Sequence, residues 1–293
     1  MESIDLTKHK YKIVKIKKKE KTSNHIIIKI ILFLIFFLIS FSLGLVVGSR
    51  FLNKKSKYID RRNPSAILNI NSFTTYSQYL EDFVLYCIFY DIEKGFYIDV
   101  GANSPDSGTV TKAFYLNGWH GINIEPLPEE FSSLKEKRER DINLNIGAGE
   151  KEENLTLYAK GPLSTLKEKF AQSNNNKINI QVLPMSTICE KYVPKNEEIQ
   201  FCKIDVEGNE KSVLLGYDFK NYRPKVFVVE SAIPNTDIPC HEEWEYILLK
   251  NDYVFGYQYK INRFYYDKRR DDDISQKFIN LNSSVESYQK IPK

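Results

Sequence analysis

Nineteen consecutive residues without a charge, IILFLIFFLISFSLGLVVG at positions 30 to 48, divide this 293-residue chain into parts with different physical fates. As a helix rising 1.5 Å per residue the run covers about 28 Å, close to the roughly 30 Å hydrocarbon core of a bilayer. A buried core helix would be shorter and would carry a polar stripe, whereas this run offers only Ser40, Ser42 and two glycines. A cleaved signal peptide fits poorly, because its apolar region is usually about 7 to 15 residues. Residues 30 to 48 therefore read as a single-pass anchor with the lipid bilayer as partner. Within about 20 residues of the run stand eight lysines on the N-terminal side, against six Lys and Arg on the C-terminal side. That small bias puts the N-terminus in the cytosol and the bulk of the chain across the membrane, a type II orientation.

The formal net charge of +4 comes from those flanks: nine lysines against three acids in residues 1 to 29, and six basic residues against one acid in 50 to 62. Beyond position 62 stand 27 basic and 34 acidic residues, a net −7, so the larger part carries no nucleic-acid footprint. With 42% hydrophobic and 13% aromatic residues the chain builds a core instead of staying disordered. Cys87, Cys189, Cys202 and Cys240 lie far apart without a CxxC spacing, which suggests buried free thiols and neither a zinc site nor a redox motif. The organisation expected is a basic tail over 1–29, the anchor over 30–48, a polar stalk over 49–76 broken by Asn63-Pro64, a folded domain over 77–268 and a charged polar tail over 269–293.

Inside the domain, Leu80, Phe83, Val84, Cys87 and Ile88 fall at helical spacing, and Thr75 with Gln78 offers a capping box before them. Short strand-like runs follow at 96–100, 121–125, 142–146, 199–205 and 226–230, separated by helix-compatible stretches near 109–117, 128–139, 208–216 and 241–250. This alternation predicts βαβ units and a parallel sheet covered on both faces. Positions 253–259 and 263–266 lie too close together for a crossover and predict an antiparallel hairpin. Residues 154–159 and the Asn174-Asn175-Asn176 run read as an insertion with a flexible loop.

Three strand tips carry the chemistry. In FYIDVGANSPDSGT, residues 96 to 109, Gly101 follows a buried strand and allows a sharp turn with close approach of a ligand. No Gly-Lys-Ser/Thr follows, and the glycines of a dinucleotide fingerprint are missing. A cofactor without a pyrophosphate, such as S-adenosylmethionine, fits that turn. GINIEP, residues 121 to 126, ends its strand in Glu125, where a carboxylate can accept both hydroxyls of a ribose; the competing reading is a cap for the helix that follows. IQFCKIDVEGNE, residues 199 to 210, brings Asp205 and Glu207 to a third tip. There one carboxylate can steer or deprotonate a substrate hydroxyl, or the pair can hold a divalent ion. The alternative is that Glu207 or Glu210 caps the next helix while Asp205 only contacts the cofactor. His120 belongs at the opposite sheet edge and His241 at the start of a late helix, so neither competes for a catalytic role.

The same segments, with SQYLED before them and KVFVVES after, resemble the FkbM-type methyltransferases of the class I, S-adenosylmethionine-dependent group over most of residues 77 to 231. The resemblance implies a Rossmann-like α/β fold with a seven-stranded, mostly parallel sheet and an antiparallel last strand. It implies O-methylation of a hydroxyl on a sugar, glycan or secondary metabolite. Carried over by position, the turn holding Asp99, Gly101, Ala102 and Asn103 would hold the methionine end, Glu125 and Pro126 the ribose, and Asn145 and Ile146 the adenine. Asp205 and Glu207 would be catalytic, and no metal ligands are assigned. The acceptor pocket would come from the stretches around 160–198 and 232–240.

Two other classes compete. A type II membrane glycosyltransferase would share the anchor, and Asp271-Asp272-Asp273 contains a DxD string for a metal-bound nucleotide sugar, although its place in a charged tail after the last strand favours a solvated acidic run. A catalytically inactive binding module would keep the fold and lose the activity.

Overall fold

The computed structural model describes residues 73–171, 176–270 and 273–289. Its centre is a seven-stranded sheet in the order β3-β2-β1-β7-β8-β10-β9. The strands are β1 (Phe96–Val100), β2 (His120–Ile124), β3 (Ile142–Leu144), β7 (Ile199–Ile204), β8 (Val226–Glu230), β9 (Tyr253–Tyr259) and β10 (Asn262–Asp267). The first five run parallel, while β10 is antiparallel to both β8 and β9. This is the reversed last strand implied by the resemblance.

β1, β7 and β8 are buried at every position, as central strands covered on both faces must be. The two-residue period of β1 sorts its side chains: Phe96, Ile98 and Val100 enter one core cluster, and Tyr97 enters the other. The first cluster includes residues of the helices Met185–Tyr192 (α4), Glu210–Leu215 (α5) and Glu245–Leu249 (α6). The second includes residues of Glu81–Phe89 (α1) and Lys112–Leu116 (α2), and of the last two helices, Ile274–Ile279 (α7) and Leu281–Gln289 (α8). The remaining helix, Pro128–Lys137 (α3), follows β2.

Three expectations are corrected. Residues 274–289 are not part of a solvated polar tail, because Ile274, Phe278, Leu281 and Val285 are buried in the second cluster. Thr75 and Gln78 do not form a capping box. Leu80 stands at the N-cap of α1 without a side-chain cap, and the Thr75 hydroxyl instead donates to Asp82 at 2.7 Å. The insertion adds a sheet that the sequence reading does not contain: β4 (Gly147–Gly149), β5 (Glu153–Ala159) and β6 (Asn176–Pro184) form a second, three-stranded sheet in the order β4-β6-β5, while Asn174 and Asn175 of the flexible loop expected there lie outside the described residues. Its strands alternate, and Leu157, Ile180 and Val182 build a small core of their own.

Among the described residues no helix is long and apolar enough to cross a membrane. The run at 30–48 lies outside them, as do Asp271 and Asp272, while Asp273 is the N-cap residue of α7. All four cysteines are free, and burial pushes the Cys87 and Cys189 thiols up to about 12.

Candidate active site

Parallel β1 pairs with β2 on one side and β7 on the other, so consecutive connections leave β1 in opposite directions and open a crevice at the carboxyl ends. A cavity of about 800 Å³ lies there. Gly101, Asn103, Glu125, Pro126, Asp205 and Glu207 all line it. Of the residues assigned from sequence, Asp99, Ala102, Asn145 and Ile146 are not among the lining.

The turn after β1 is held from both sides. The amides of Gly101 and Ala102 donate to the Ile124 carbonyl at 3.0 and 3.1 Å, and the Asp205 amide donates to the Val100 carbonyl at 3.1 Å. Gly101 has φ +77°, and a Cβ there would stand 1.9 Å from the Asp205 carbonyl oxygen. Close approach at Gly101 is therefore required by the neighbouring strand tip, before any ligand is considered.

Beneath the turn Asp99 is 1% exposed, with Lys203 Nζ 3.4 Å from its Oδ1 and the Thr111 hydroxyl donating to its Oδ2 at 3.2 Å. Lys203 Nζ also donates to the Gly101 carbonyl at 2.7 Å and lies 3.6 Å from Asp205. Burial disfavours the ammonium, but Asp99 and Asp205 outweigh it and hold the Lys203 pKa above its ordinary value. Burial raises the Asp99 pKa, against the pull of Lys203. Asp99 thus fastens the floor beneath the turn and does not itself line the cavity.

Glu125 fits the capping reading directly and still faces the cavity. Its Oε1 accepts the amide of Leu127, the N-cap residue of α3, at 2.8 Å, and its Oε2 accepts the Asn103 amide at 2.7 Å. Each oxygen keeps a second lone pair for a donor in the cavity. Burial pushes its pKa up to about 7, opposed by those two amides. Asn145 is spent elsewhere: its side-chain amide donates to the carbonyls of Glu125 and Pro126, each at 3.0 Å. Ile146 packs on the first core cluster, and β3 stops at Leu144, so Gly147 and Ala148 of β4 line the cavity instead.

At the tip of β7 the N-cap residue of α5 is Asn209, without a side-chain cap, and Glu210 instead braces the turn before the helix. Its Oε1 accepts the amides of Val206 and Gly208, each at 3.1 Å, and burial raises its pKa against those bonds. Glu207 sits at φ +51° in the left-handed region, which costs a non-glycine residue some strain, and its carbonyl accepts the Thr165 hydroxyl at 2.8 Å. Burial first, then Asp205 and Glu210, push the Glu207 pKa up to about 8. Glu230, the last residue of β8, joins this group: Asp205, Glu207 and Glu230 place carboxylate oxygens all within 4.8 Å of one another. Burial and the surrounding carboxylates raise the Glu230 pKa strongly.

Sequence reading missed Lys203 and Glu230. Both carried a signal: a lysine inside the buried run IQFCKI must be paired, and the acid that closes VFVVE repeats the pattern of GINIE. Ser77, Gln78 and Tyr79 also reach the cavity wall from the segment before α1. The second sheet and the segment between β5 and β6 add Leu157, Leu163 and Ile180 to the lining, and the loop after β8 adds Asn235 to Asp237.

A sequence model of the methyltransferase FkbM domain matches residues 99–255, more than half of the chain. The chain belongs to the FkbM methyltransferase family. The matched span of the FkbM domain begins at Asp99 and takes in the three strand tips and the whole second sheet. No curated protein matches the chain.

Proposed function

We propose that this FkbM domain is an S-adenosylmethionine-dependent O-methyltransferase acting on a hydroxyl of a sugar, glycan or secondary metabolite, anchored in a membrane through residues 30–48. The observation that carries the reading is the meeting of Gly101, Glu125 and Asp205 on one cavity at the switch point of the sheet. The cavity suits the cofactor: about 800 Å³ lies within the range that encloses a ligand of that size, and the carboxylates complement a cationic sulfonium. Glu125 and Pro126 would take the ribose, and the Gly101 to Asn103 turn the methionine end. Gly147 and Ala148 stand where the adenine contact was assigned to Asn145 and Ile146.

S-adenosylmethionine supplies a methyl group on a sulfonium whose sulfur leaves as a neutral thioether. The chain's part is to hold an acceptor oxygen in line with that methyl, which accounts for most of the rate, and to receive the hydroxyl proton on a carboxylate as the O–CH₃ bond forms. Asp205 is the partly exposed carboxylate at the cavity floor, its side chain 36% exposed, and Lys203 orients it. Glu207 stands beside it as the second catalytic candidate.

Labelled S-adenosylmethionine incubated with a panel of glycans and hydroxylated metabolites tests the reading. Asp205→Asn is expected to retain cofactor binding and lose about 10²- to 10⁴-fold in turnover. Glu125→Ala is expected to weaken cofactor binding by calorimetry. Binding of a nucleotide sugar in place of S-adenosylmethionine would overturn the reading.

A further inference from the structure

We propose that Asp205, Glu207 and Glu230 form a divalent-cation site on the acceptor side of the cavity, taking an oxygen-seeking ion of the magnesium, manganese or calcium class. Their oxygens all lie within 4.8 Å of one another. Ligand oxygens lie about 2.0 to 2.6 Å from such ions, so oxygens on opposite sides of one ion stand roughly 4 to 5 Å apart. An all-carboxylate set with no thiol or imidazole selects this class of metal over zinc or copper.

A second observation points the same way. Glu230 is 6% exposed, lines the cavity, and its Oε2 has no hydrogen-bond partner among the described residues. Asp99 also keeps one oxygen, Oδ1, without a hydrogen bond, but Lys203 stands 3.4 Å from it as a counter-charge; three other buried carboxylates are well supplied. Asp82 accepts from Thr75, Tyr76 and Ser77, Asp141 from Tyr97, Gly121 and Asn123, and Asp267 from Arg223. Lys203, the ammonium in ion-pair contact with Asp205, already serves Asp99 and the Gly101 carbonyl. Glu230 is buried beside the part-buried Asp205 and Glu207, and carboxylates brought this close need a counter-charge or a shared proton, a place a divalent cation can take.

The sulfonium does not take this place in the proposed arrangement. Glu125 fixes the cofactor half of the cavity at β2, while Glu230 ends β8, beyond β7 on the other side of β1. The ion's role rests on the methyltransferase reading: it would draw the acceptor oxygen to the cavity floor and acidify its hydroxyl, leaving carboxylate oxygens free to take the proton. The ion site itself rests on the geometry alone.

The test uses the full chain in detergent, stripped with chelator and titrated with Mn²⁺ under electron paramagnetic resonance, with S-adenosylmethionine affinity measured by calorimetry on the same preparation. One Mn²⁺ per chain is expected, weakened at least tenfold in Glu230→Gln and in Glu207→Gln and unchanged in Asp106→Asn. Melting curves establish that each variant folds; should Glu230→Gln fail to fold, the partly exposed Glu207 decides through Glu207→Gln. Absence of binding at millimolar Mn²⁺, or wild-type affinity in the folded variants, overturns the site. Cofactor binding without Mn²⁺ binding overturns the ion site alone, and Mn²⁺ binding without cofactor binding overturns the methyltransferase reading alone.

Discussion

Glu125 ties two backbone segments together, and under the proposed function it would also meet the ribose, with its protonation separating the two roles. Its backbone bonds already use one lone pair on each oxygen, so a ribose must be met by the ionised form, which offers two more. With the pKa near 7, S-adenosylmethionine affinity is expected to rise with pH, by about tenfold at most between pH 6 and pH 8, and to flatten above. Calorimetry at the two pH values checks this, and Glu125→Gln should abolish the dependence. Stability moves the other way. The folded pKa lies above the ordinary 4.5, so Glu125 contributes full stability below about 4.5 and loses it as pH climbs through about 7. Lys203 sets the second expectation at this scale. Lys203→Met leaves Asp99 buried with only the Thr111 hydroxyl, and should lower unfolding free energy by about 3 to 5 kcal/mol in urea titrations. Asp99→Asn in the same chain should recover part of the loss. Gly101, Glu125 and Asp205 were legible because each closes or follows an apolar strand run. Asn145 and Ile146 stand beyond the end of β3 at Leu144, where their side chains meet loop carbonyls and the core and do not line the cavity.

The central strands and most helices could be read from the sequence because buried parallel strands are near-continuous apolar runs bounded by turn residues. The second sheet was less legible. Leu155 and Leu157 and then Ile178, Ile180 and Val182 show the two-residue alternation, but nothing local says that β5 pairs with β6 across the intervening loop. The last two helices were hidden by charge: Lys268 to Asp273 and a serine-rich run mask the spacing of Ile274, Phe278, Leu281 and Val285. Their packing gives a direct expectation. Phe278 is 4% exposed, beside Phe264 and Tyr266 at ring distances of 6.4 and 5.8 Å. Phe278→Ala should cost about 3 to 5 kcal/mol by denaturant unfolding, whereas a solvated tail would tolerate the change.

For the whole molecule, the charge distribution and the apolar run at 30–48 carry the membrane proposal. The full chain is expected to stay in the membrane pellet after alkaline carbonate extraction, and deletion of 30–48 should release it; extraction of the intact chain would remove the anchor from the reading. A type II orientation would set the domain apart from the cytosol, and protease protection in sealed vesicles distinguishes the two sides. The second sheet has its own bearing on this chemistry. It leaves the central sheet after β3 and returns through α4 to β7, so both ends are fixed while the hairpin between them forms a cavity wall. Under the proposed function, substitutions in that hairpin would reshape the cavity wall while leaving the strand tips at Gly101, Glu125 and Asp205 in place.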